Sequence, residues 1–425
     1  MNTEILAPGV RLISVPDDRF QTVRIAAHFT MPLRAETAAE NAILPRILTR
    51  SCAAYPDDMQ FSRRLAMLYG AGVGGTTQAV GEMQMLNISV SLLDDRFVPQ
   101  MEPILPECVQ LLCGMLFEPA LVDGRFREAD LAEEKRRLAE EIRAERNDLR
   151  TLALQRARRL MFADEPYGLD RQGSAEQVEA LTAEQVTAAW KRMLQTAQLT
   201  VTVVGAADPE PIAQQIRAAF ASVERRPAAW TETVDRAAPD TPKSITEPVD
   251  ALQSKLVMGF RSTVQSPQNT MPLRLAVALY GGTATSRLFL NVRERLSLCY
   301  YCMARYDRRK GVMFVDSGVQ GENAEQAQAE ILRQLAELQA GRFEEHELTE
   351  ARLSMLDQIG TVSDSPAYLD NWYAGQLNDP LQTPEEAERA LEAVTREEVI
   401  AALQTMKPEL FYLLRGHAGE DGAAE

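Results

Sequence analysis

The chain has 425 residues, of which 45% are hydrophobic, and this is enough apolar material for two or three globular domains. Its formal net charge is −16, and a chain this acidic repels nucleic-acid backbones and anionic membrane surfaces. The longest apolar run, around Val109–Phe117, is shorter than the roughly 18 residues that a membrane-spanning helix needs. We therefore expect a globular protein that binds neither nucleic acid nor membrane.

Two features predict a cytoplasmic location. The first residues, Met1–Val10, carry no basic segment, so they do not resemble a signal peptide. The five cysteines are an odd and sparse set, which is typical of reduced thiols. Cys299 and Cys302 form a C-x-x-C, but residues i and i+3 of a regular strand point to opposite faces. We therefore interpret them as core cysteines rather than as a redox or metal pair.

The first half of the chain alternates predicted strands and helices. Hydrophobic periodicity and turn residues predict these elements, in chain order: a strand at Val23–Met31, helices at Ala38–Ser51 and Asp58–Tyr69, a hairpin at Val73–Leu93 that turns at Val80–Gly81, a long helix at Phe126–Met161, and a strand at Leu199–Gly205.

The second half repeats most of this order. The corresponding predicted elements are a strand at Lys255–Arg261, a helix at Thr285–Leu296, a hairpin at Cys299–Gly318 that turns at Lys310–Gly311, a long helix at Phe343–Tyr373, and a strand at Leu410–Gly416.

Two helix-starting motifs support an internal duplication. Thr182 and Thr395 are each followed three residues later by Gln or Glu, the pattern of a capping box, and they lie 213 residues apart, about half the chain. The sequence predicts an α+β protein of two homologous halves, each an antiparallel β-sheet covered by α-helices. We expect halves at 1–226 and 251–425, joined by a proline-rich linker at 227–250.

The histidines exclude a familiar zinc hydrolase site. Only His28, His346 and His417 are present, and neither H-x-x-E-H nor H-E-x-x-H occurs. A catalytic zinc ion needs two imidazoles one helical turn apart and a carboxylate. His28 alternates within a predicted strand, so we interpret it as structural. We expect no metal, no cofactor and no catalytic residue.

One segment of the second half is distinctive. A Gly281-Gly282 loop leads to the S-R-L-F sequence of Ser286–Phe289 and then to Arg293 and Tyr300, which are seven residues apart. This segment resembles the second-half signature of insulinase (pitrilysin) family metallopeptidases, and the resemblance spans nearly the whole chain. It implies that Arg293 and Tyr300 are a substrate-binding pair.

The first half departs from that family. Active members carry H-x-x-E-H on the helix that corresponds to Ala38–Ser51, and the matching stretch here is Ala42–Arg46. Ala42 and Arg46 replace the two histidine ligands, and Pro45 replaces the catalytic glutamate. Glu134 and Glu141, seven residues apart, resemble the family's carboxylate pair on the long helix. Without imidazoles they are expected to be vestigial.

The resemblance implies a non-catalytic subunit. Some enzymes of the family are heterodimers in which one subunit holds zinc and the other completes the peptide chamber. The chain most resembles a bacterial branch that is associated with modification of elongation factor P and occurs with a zinc-bearing partner. We therefore expect peptide binding together with a zinc-bearing homologue, or self-association.

Two alternatives stay open at this point. The chain could be a structural or scaffold protein of the same fold without a peptidase role. At residue level, Arg293 could form a surface ion pair with Glu294, and Tyr300 could be a half-buried strand aromatic.

Overall fold

The computed structural model describes residues 1–99, 102–231, 233, 236–262 and 270–417. Residues 232, 234 and 235 of the predicted linker lie outside the described residues. In chain order the strands are β1 (Asn2–Ala7), β2 (Val10–Val15), β3 (Thr22–Pro32), β4 (Gly72–Val80), β5 (Met83–Leu93), β6 (Leu121–Val122), β7 (Arg125–Phe126), β8 (Gln198–Val204), β9 (Lys243–Pro248), β10 (Ser254–Ser262), β11 (Cys299–Asp307), β12 (Val312–Val319) and β13 (Met406–Arg415).

The helices lie between these strands in the chain, singly or in runs of up to five. They are α1 (Ala38–Leu48), α2 (Asp58–Met67), α3 (Leu105–Phe117), α4 (Glu128–Asn147), α5 (Leu149–Met161), α6 (Ala175–Glu179), α7 (Ala183–Thr196), α8 (Pro209–Phe220), α9 (Thr270–Val277), α10 (Ala324–Gln339), α11 (Glu345–Gly360), α12 (Pro366–Ala374), α13 (Pro384–Glu392) and α14 (Arg396–Gln404). π-Helical turns continue α9 at Ala278–Gly282 and precede β11 at Leu288–Arg295.

The chain divides into two compact units. The first unit contains Met1–Ala144, Leu169–Glu232 and Thr361–Gln382, and its sheet has the strand order β1-β2-β8-β3-β5-β4. The second unit contains Glu145–Gly168, Thr233–Gly360 and Thr383–Glu425, and its sheet has the order β11-β12-β10-β13-β9. The α+β fold class is confirmed. The division of the sequence at 227–250 stays a prediction.

Each sheet differs in one respect from the antiparallel sheets that the sequence predicts. β2 pairs with β8 in parallel in the first unit, and β13 pairs with β9 in parallel in the second. Strand β9 lies inside the stretch 227–250 that the sequence predicts to be a linker. β9 is the last strand in the sheet order, and all of its residues are exposed or half-buried, as expected of an edge strand with one side facing water.

The prediction of one long helix at Phe126–Met161 is wrong. α4 ends at Asn147, and Asp148 adopts an extended backbone and caps α5, since its side chain accepts hydrogen bonds from the backbone N–H groups of Arg150 and Thr151. Such a cap competes with a continuous helix because the Asp side chain offers the backbone donors another acceptor. α4 lies mostly in the first unit, and α5 lies in the second.

The second predicted long helix, Phe343–Tyr373, is interrupted in a similar way. α11 ends at Gly360, a short 3₁₀ turn follows, and Ser365 caps α12 with Pro366 at its first position. A proline is tolerated at the start of a helix because its missing N–H has no intrahelical partner there. α12 packs in the first unit, where Leu369 and Tyr373 contact Ile13 and Val204.

Helix α5 covers one face of the sheet in the second unit. Ala153, Ala157 and Met161 pack with Val257 and Leu410 in one buried cluster. The approach to the sheet is close, since a Cβ atom at Gly259 would lie 2.7 Å from Sδ of Met161. Each compact unit is therefore completed by a helix from the opposite half of the sequence.

The other predicted elements agree with the structure within a few residues. β3, β10, α2 and the two hairpins are confirmed, and both capping boxes form at Thr182 and Thr395. The predicted helix at Thr285–Leu296 is shorter and π-helical, at Leu288–Arg295. Within the described part of the chain, no helix is both long and apolar enough to cross a membrane.

Candidate functional site

Helix α1 carries the stretch that aligns with the metallopeptidase motif. Ala42 is buried, and Pro45 lies inside the helix. β4 passes close to it, since a Cβ atom at Gly75 would lie 2.4 Å from the carbonyl oxygen of Pro45. The methyl group of Ala42 and the ring of Pro45 offer no lone pair to a cation.

Arg46 places a positive charge at this position. Its guanidinium donates a hydrogen bond to the carboxylate of Glu141 and lies 4.0 Å from Oε2 of Glu134. Glu134 is almost fully buried, with 7% of its side chain exposed. Both glutamates that resemble the family's carboxylate pair therefore face the positive charge of Arg46.

A second arginine enlarges this cluster. Arg50 lies in the turn just after α1, 3.1 Å from Oε1 of Glu134 and 2.7 Å from carboxylate oxygens of Glu133 and Asp58. Burial alone lowers the pKa of Arg50, but these carboxylates outweigh it and raise the pKa. The hydrogen bond and charge of Arg50 likewise lower the pKa of Glu133. Arg50 and Glu133 therefore each favour the charged form of the other.

These residues do not fit a zinc ion. A guanidinium is a permanent cation without an acceptor, so Arg46 would repel the metal rather than bind it. Among the described residues, no group of three or more His, Cys, Asp and Glu side chains is arranged to hold a metal. The cluster is an arginine–carboxylate network that joins α1 to α4.

Arg293 lies on the π-helical turn Leu288–Arg295 of the second unit. Its side chain is 41% exposed, its Nε lies 3.6 Å from Oε1 of Glu294, and its guanidinium stacks 4.6 Å from the ring centre of Phe289. The ion pair with Glu294, which the sequence analysis gives as an alternative role of Arg293, is therefore present. It is long and exposed, and such pairs contribute little to stability.

Tyr300 lies at the start of β11, seven residues after Arg293, and is 53% exposed. The turn between them contains Ser297, whose φ of 51° is left-handed. The turn reverses the chain, and the Leu298 N–H donates to the carbonyl oxygen of Val292. The structure thus places both predicted residues at one exposed junction of helix and strand. Among the described contacts, no hydrogen bond or ion pair joins their side chains.

Strand β11 is at the edge of its sheet. It pairs with β12 on one side, and the sheet order ends at β11. An edge strand presents backbone N–H and C=O groups that an extended peptide can pair with. Arg293, Tyr300 and this edge form the candidate functional site.

The sequence analysis did not predict two features of the structure. Arg50 is one of them. It lies in the turn after α1, which ends at Leu48, so the helical pattern of α1 does not predict where its side chain goes. The other is the placement of Cys299 and Cys302 on the same face of β11, which no local pattern indicates.

The comparisons with known proteins agree with this description. A family profile described as "Peptidase M16 inactive domain" matches residues 180–355. "Probable inactive metalloprotease YmfF" from Bacillus subtilis is 28% identical over 413 residues, which is 97% of each chain.

Solved structures show the same fold. A "conserved protein from Enterococcus faecalis V583" superposes with a TM-score of 0.90 at 24% identity, over 99% of both chains. A "peptidase M16 inactive domain from Pseudomonas fluorescens" superposes with a TM-score of 0.80 at 18% identity, also over 99% of both chains. The chain is therefore a homologue of the insulinase (M16) peptidase family that lacks the family's zinc-binding motif.

Proposed function

We propose that this chain is a cytoplasmic, non-catalytic subunit that binds peptide and pairs with a zinc-bearing homologue of the same fold to form an active metallopeptidase. The observation that carries the proposal is the exposed junction at Arg293 and Tyr300 on the edge strand β11. The replacement of metal ligands by Ala42 and Arg46 supports a role without zinc in this chain.

Strand addition supplies the main binding energy in this proposal. An extended peptide pairs its backbone with β11, and alternate side chains then face the two sides of the sheet. Arg293 lies next to this edge with a planar donor fork, which suits a peptide carbonyl or carboxylate. Its ion pair with Glu294 is long and exposed, so substrate can replace it at little cost.

Tyr300 has a different role. Its hydroxyl can donate one hydrogen bond, and its exposure leaves that donor available to substrate. In the assembled enzyme, Tyr300 donates to the oxygen of the peptide carbonyl as negative charge develops there. A donor aimed at developing charge contributes more to rate than to ground-state binding.

The first test is co-purification of the full chain from its native host, followed by mass spectrometry and peptide cleavage assays. We expect a homologue with H-x-x-E-H to co-purify, and cleavage to require both chains. A chain that is recovered alone, and does not stimulate such a homologue when mixed with it, would indicate the scaffold alternative.

The second test separates the two residues in the reconstituted pair. Tyr300→Phe is expected to lower the cleavage rate by roughly 10²–10³ with little change in peptide affinity. Arg293→Ala is expected to weaken peptide binding by roughly tenfold or more, because a charge-assisted bond is lost from the ground state too.

Each variant has a matched control. Tyr368→Phe changes a tyrosine that is 57% exposed and lies outside the candidate site, and Arg295→Ala removes an exposed arginine from the same helical turn. Neither control should change the rate or the affinity. If Tyr300→Phe leaves the cleavage rate within about twofold of wild type, Tyr300 does not act on the reacting carbonyl.

A further inference from the structure

A β-bulge brings Cys299 and Cys302 to the same face of β11. Cys299 pairs with Val319 and Tyr301 pairs with Gly318, so Tyr300 is an extra residue without a register partner on β12. Cys302 then pairs with Ser317, two residues from Val319 and on the same side of that strand. In a regular strand the two cysteines would face opposite sides, so the bulge overturns the prediction from sequence.

The surroundings of the two thiols differ. Cys302 is buried, whereas Cys299 is half-buried at the end of the edge strand, next to the exposed Tyr300. Ser317 lies beside both thiols on the neighbouring strand, and Arg293 contributes a positive charge from the preceding helical turn. The negative charge of Asp316 on β12 helps to raise the pKa of Cys302. Cys299 is therefore the accessible member of the pair.

The charges and hydrogen bonds favour a thiolate at Cys299. A hydrogen bond from the Cys302 thiol, helped by the charge of Arg293, lowers the pKa of Cys299 to about 7 although burial opposes this. The Ser317 hydroxyl donates its proton to the carbonyl oxygen of Tyr301 instead. The same hydrogen bond, together with burial, raises the pKa of Cys302. Cys302 thus stays protonated and donates to its neighbour.

Two other cysteines provide a contrast within the same chain. Burial raises the pKa of Cys108 to about 12 and that of Cys113 to about 11. Both belong to α3 of the first unit. A thiol reacts as its thiolate, so these two cysteines should be inert at neutral pH.

We infer that Cys299 is a modification site for low-molecular-weight disulfides, and that Cys302 is the positioning residue that makes it reactive. The Cys299 thiolate attacks one sulfur of a small disulfide RS–SR. A bond forms between Sγ of Cys299 and that sulfur, the S–S bond of the small disulfide breaks, and RS⁻ leaves with the electron pair. Cys299 is oxidised to the mixed disulfide, and half of the small disulfide is reduced.

The modification would act on the edge strand. A group attached to Cys299 stands next to Tyr300, in the part of β11 where a peptide would pair. The structure therefore links thiol oxidation to loss of peptide binding. This last step, unlike the modification, rests on the proposed function.

The test uses the full chain and oxidised glutathione at pH 7, with peptide mapping by mass spectrometry. We expect the mixed disulfide at Cys299 well before Cys108 or Cys113, and its removal by dithiothreitol. Modification of Cys299 that is no faster than that of Cys113 would overturn the proposal.

The role of Cys302 is tested by the pH profile of iodoacetamide alkylation at Cys299. Cys302→Ala removes the donor and should shift the profile to higher pH. It should also slow the reaction at pH 7 by roughly fivefold, since the smaller thiolate fraction outweighs its higher nucleophilicity. Cys302→Ser keeps a donor and should restore the wild-type profile. An unchanged profile in Cys302→Ala, with circular dichroism confirming the fold, would overturn the role of Cys302.

Peptide affinity, measured before and after modification, completes the experiment. If the unmodified chain binds no peptide, the proposed function fails, and the mapping result still decides whether Cys299 is the reactive thiol. If the unmodified chain binds peptide and the glutathionylated chain binds it equally well, the link between oxidation and the edge strand is wrong.

Discussion

Asp370 accepts a hydrogen bond from His28 across 342 residues of sequence, with 2.6 Å between Oδ1 and Nε2. Its other oxygen, Oδ2, lies 2.7 Å from Nε of Arg24, and the Thr202 hydroxyl donates to Oδ1. The side chain of Asp370 is fully buried. This network ties α12 to β3 and β8 within the first unit.

Replacement of the Asp370 carboxylate should destabilise the chain strongly. Asp370→Asn keeps the volume but removes the charge that His28 and Arg24 face. Breaking one side of a buried ionic network costs about 3–5 kcal/mol of the free energy of unfolding. The measurement is urea unfolding followed by fluorescence. Asp364→Asn is the control, since Asp364 is exposed and lies directly before Ser365, the cap of α12, and a change within about 0.5 kcal/mol is expected there. A loss below about 1 kcal/mol in Asp370→Asn would contradict the network's role.

The same carboxylate predicts a dependence of stability on pH. Burial alone raises the pKa of Asp370, but His28 and Arg24 outweigh it and lower the pKa to about 2, from an ordinary value of 3.8. The folded chain therefore takes up this proton less readily than the unfolded chain. The stabilisation is present in full above about pH 4 and is lost as the pH falls towards 2.

The effect can be isolated by comparing wild type with Asp370→Asn. The difference in their free energies of unfolding should shrink by about 1 kcal/mol between pH 5 and pH 3. Other carboxylates titrate in both proteins and cancel in the comparison. Parallel curves for the two proteins over this range would show that Asp370 is not held ionised by its partners.

The wild-type chain should bind no stoichiometric zinc at α1. The guanidinium of Arg46 pairs with Glu141 and lies near Glu134, and the side chain of Ala42 has no lone pair that could bind a metal ion. Elemental analysis after dialysis against zinc is the measurement. The triple variant Ala42→His, Pro45→Glu, Arg46→His recreates two imidazoles at i and i+4 on one helix face and should bind about one zinc per chain. About one chelatable zinc in the wild type would contradict this account.

Limited proteolysis should first cut the chain between residues 236 and 242. This stretch belongs to no helix or strand and precedes β9, whose backbone is hydrogen-bonded to β13. Exposed segments without such bonds are preferred cleavage sites. The measurement is a short digestion with proteinase K and mass spectrometry of the fragments. First cuts inside Lys243–Pro248, or confined to Phe126–Met161, would contradict the assignment.

Local chemistry was sufficient for most elements of the fold. Gly81 and Gly311 mark the two hairpin turns, and both adopt the positive φ that favours glycine. The capping boxes at Thr182 and Thr395 form because each needs only residues within one helical turn. The loss of the zinc ligands is likewise local, since it follows from the side chains of Ala42 and Arg46 alone.

The sequence by itself determined these local features, because a turn, a cap or a missing imidazole depends on neighbours within a few residues. It could not assign α5 and α12 to their units. Asp148 and Ser365 each cap a new helix, and the residues against which that helix packs lie far along the chain. Nor could it place Cys299 beside Cys302, since the bulge at Tyr300 exists only through pairing with β12. The tertiary structure decided these relationships because strand register and helix docking depend on buried contacts between segments that are distant in sequence.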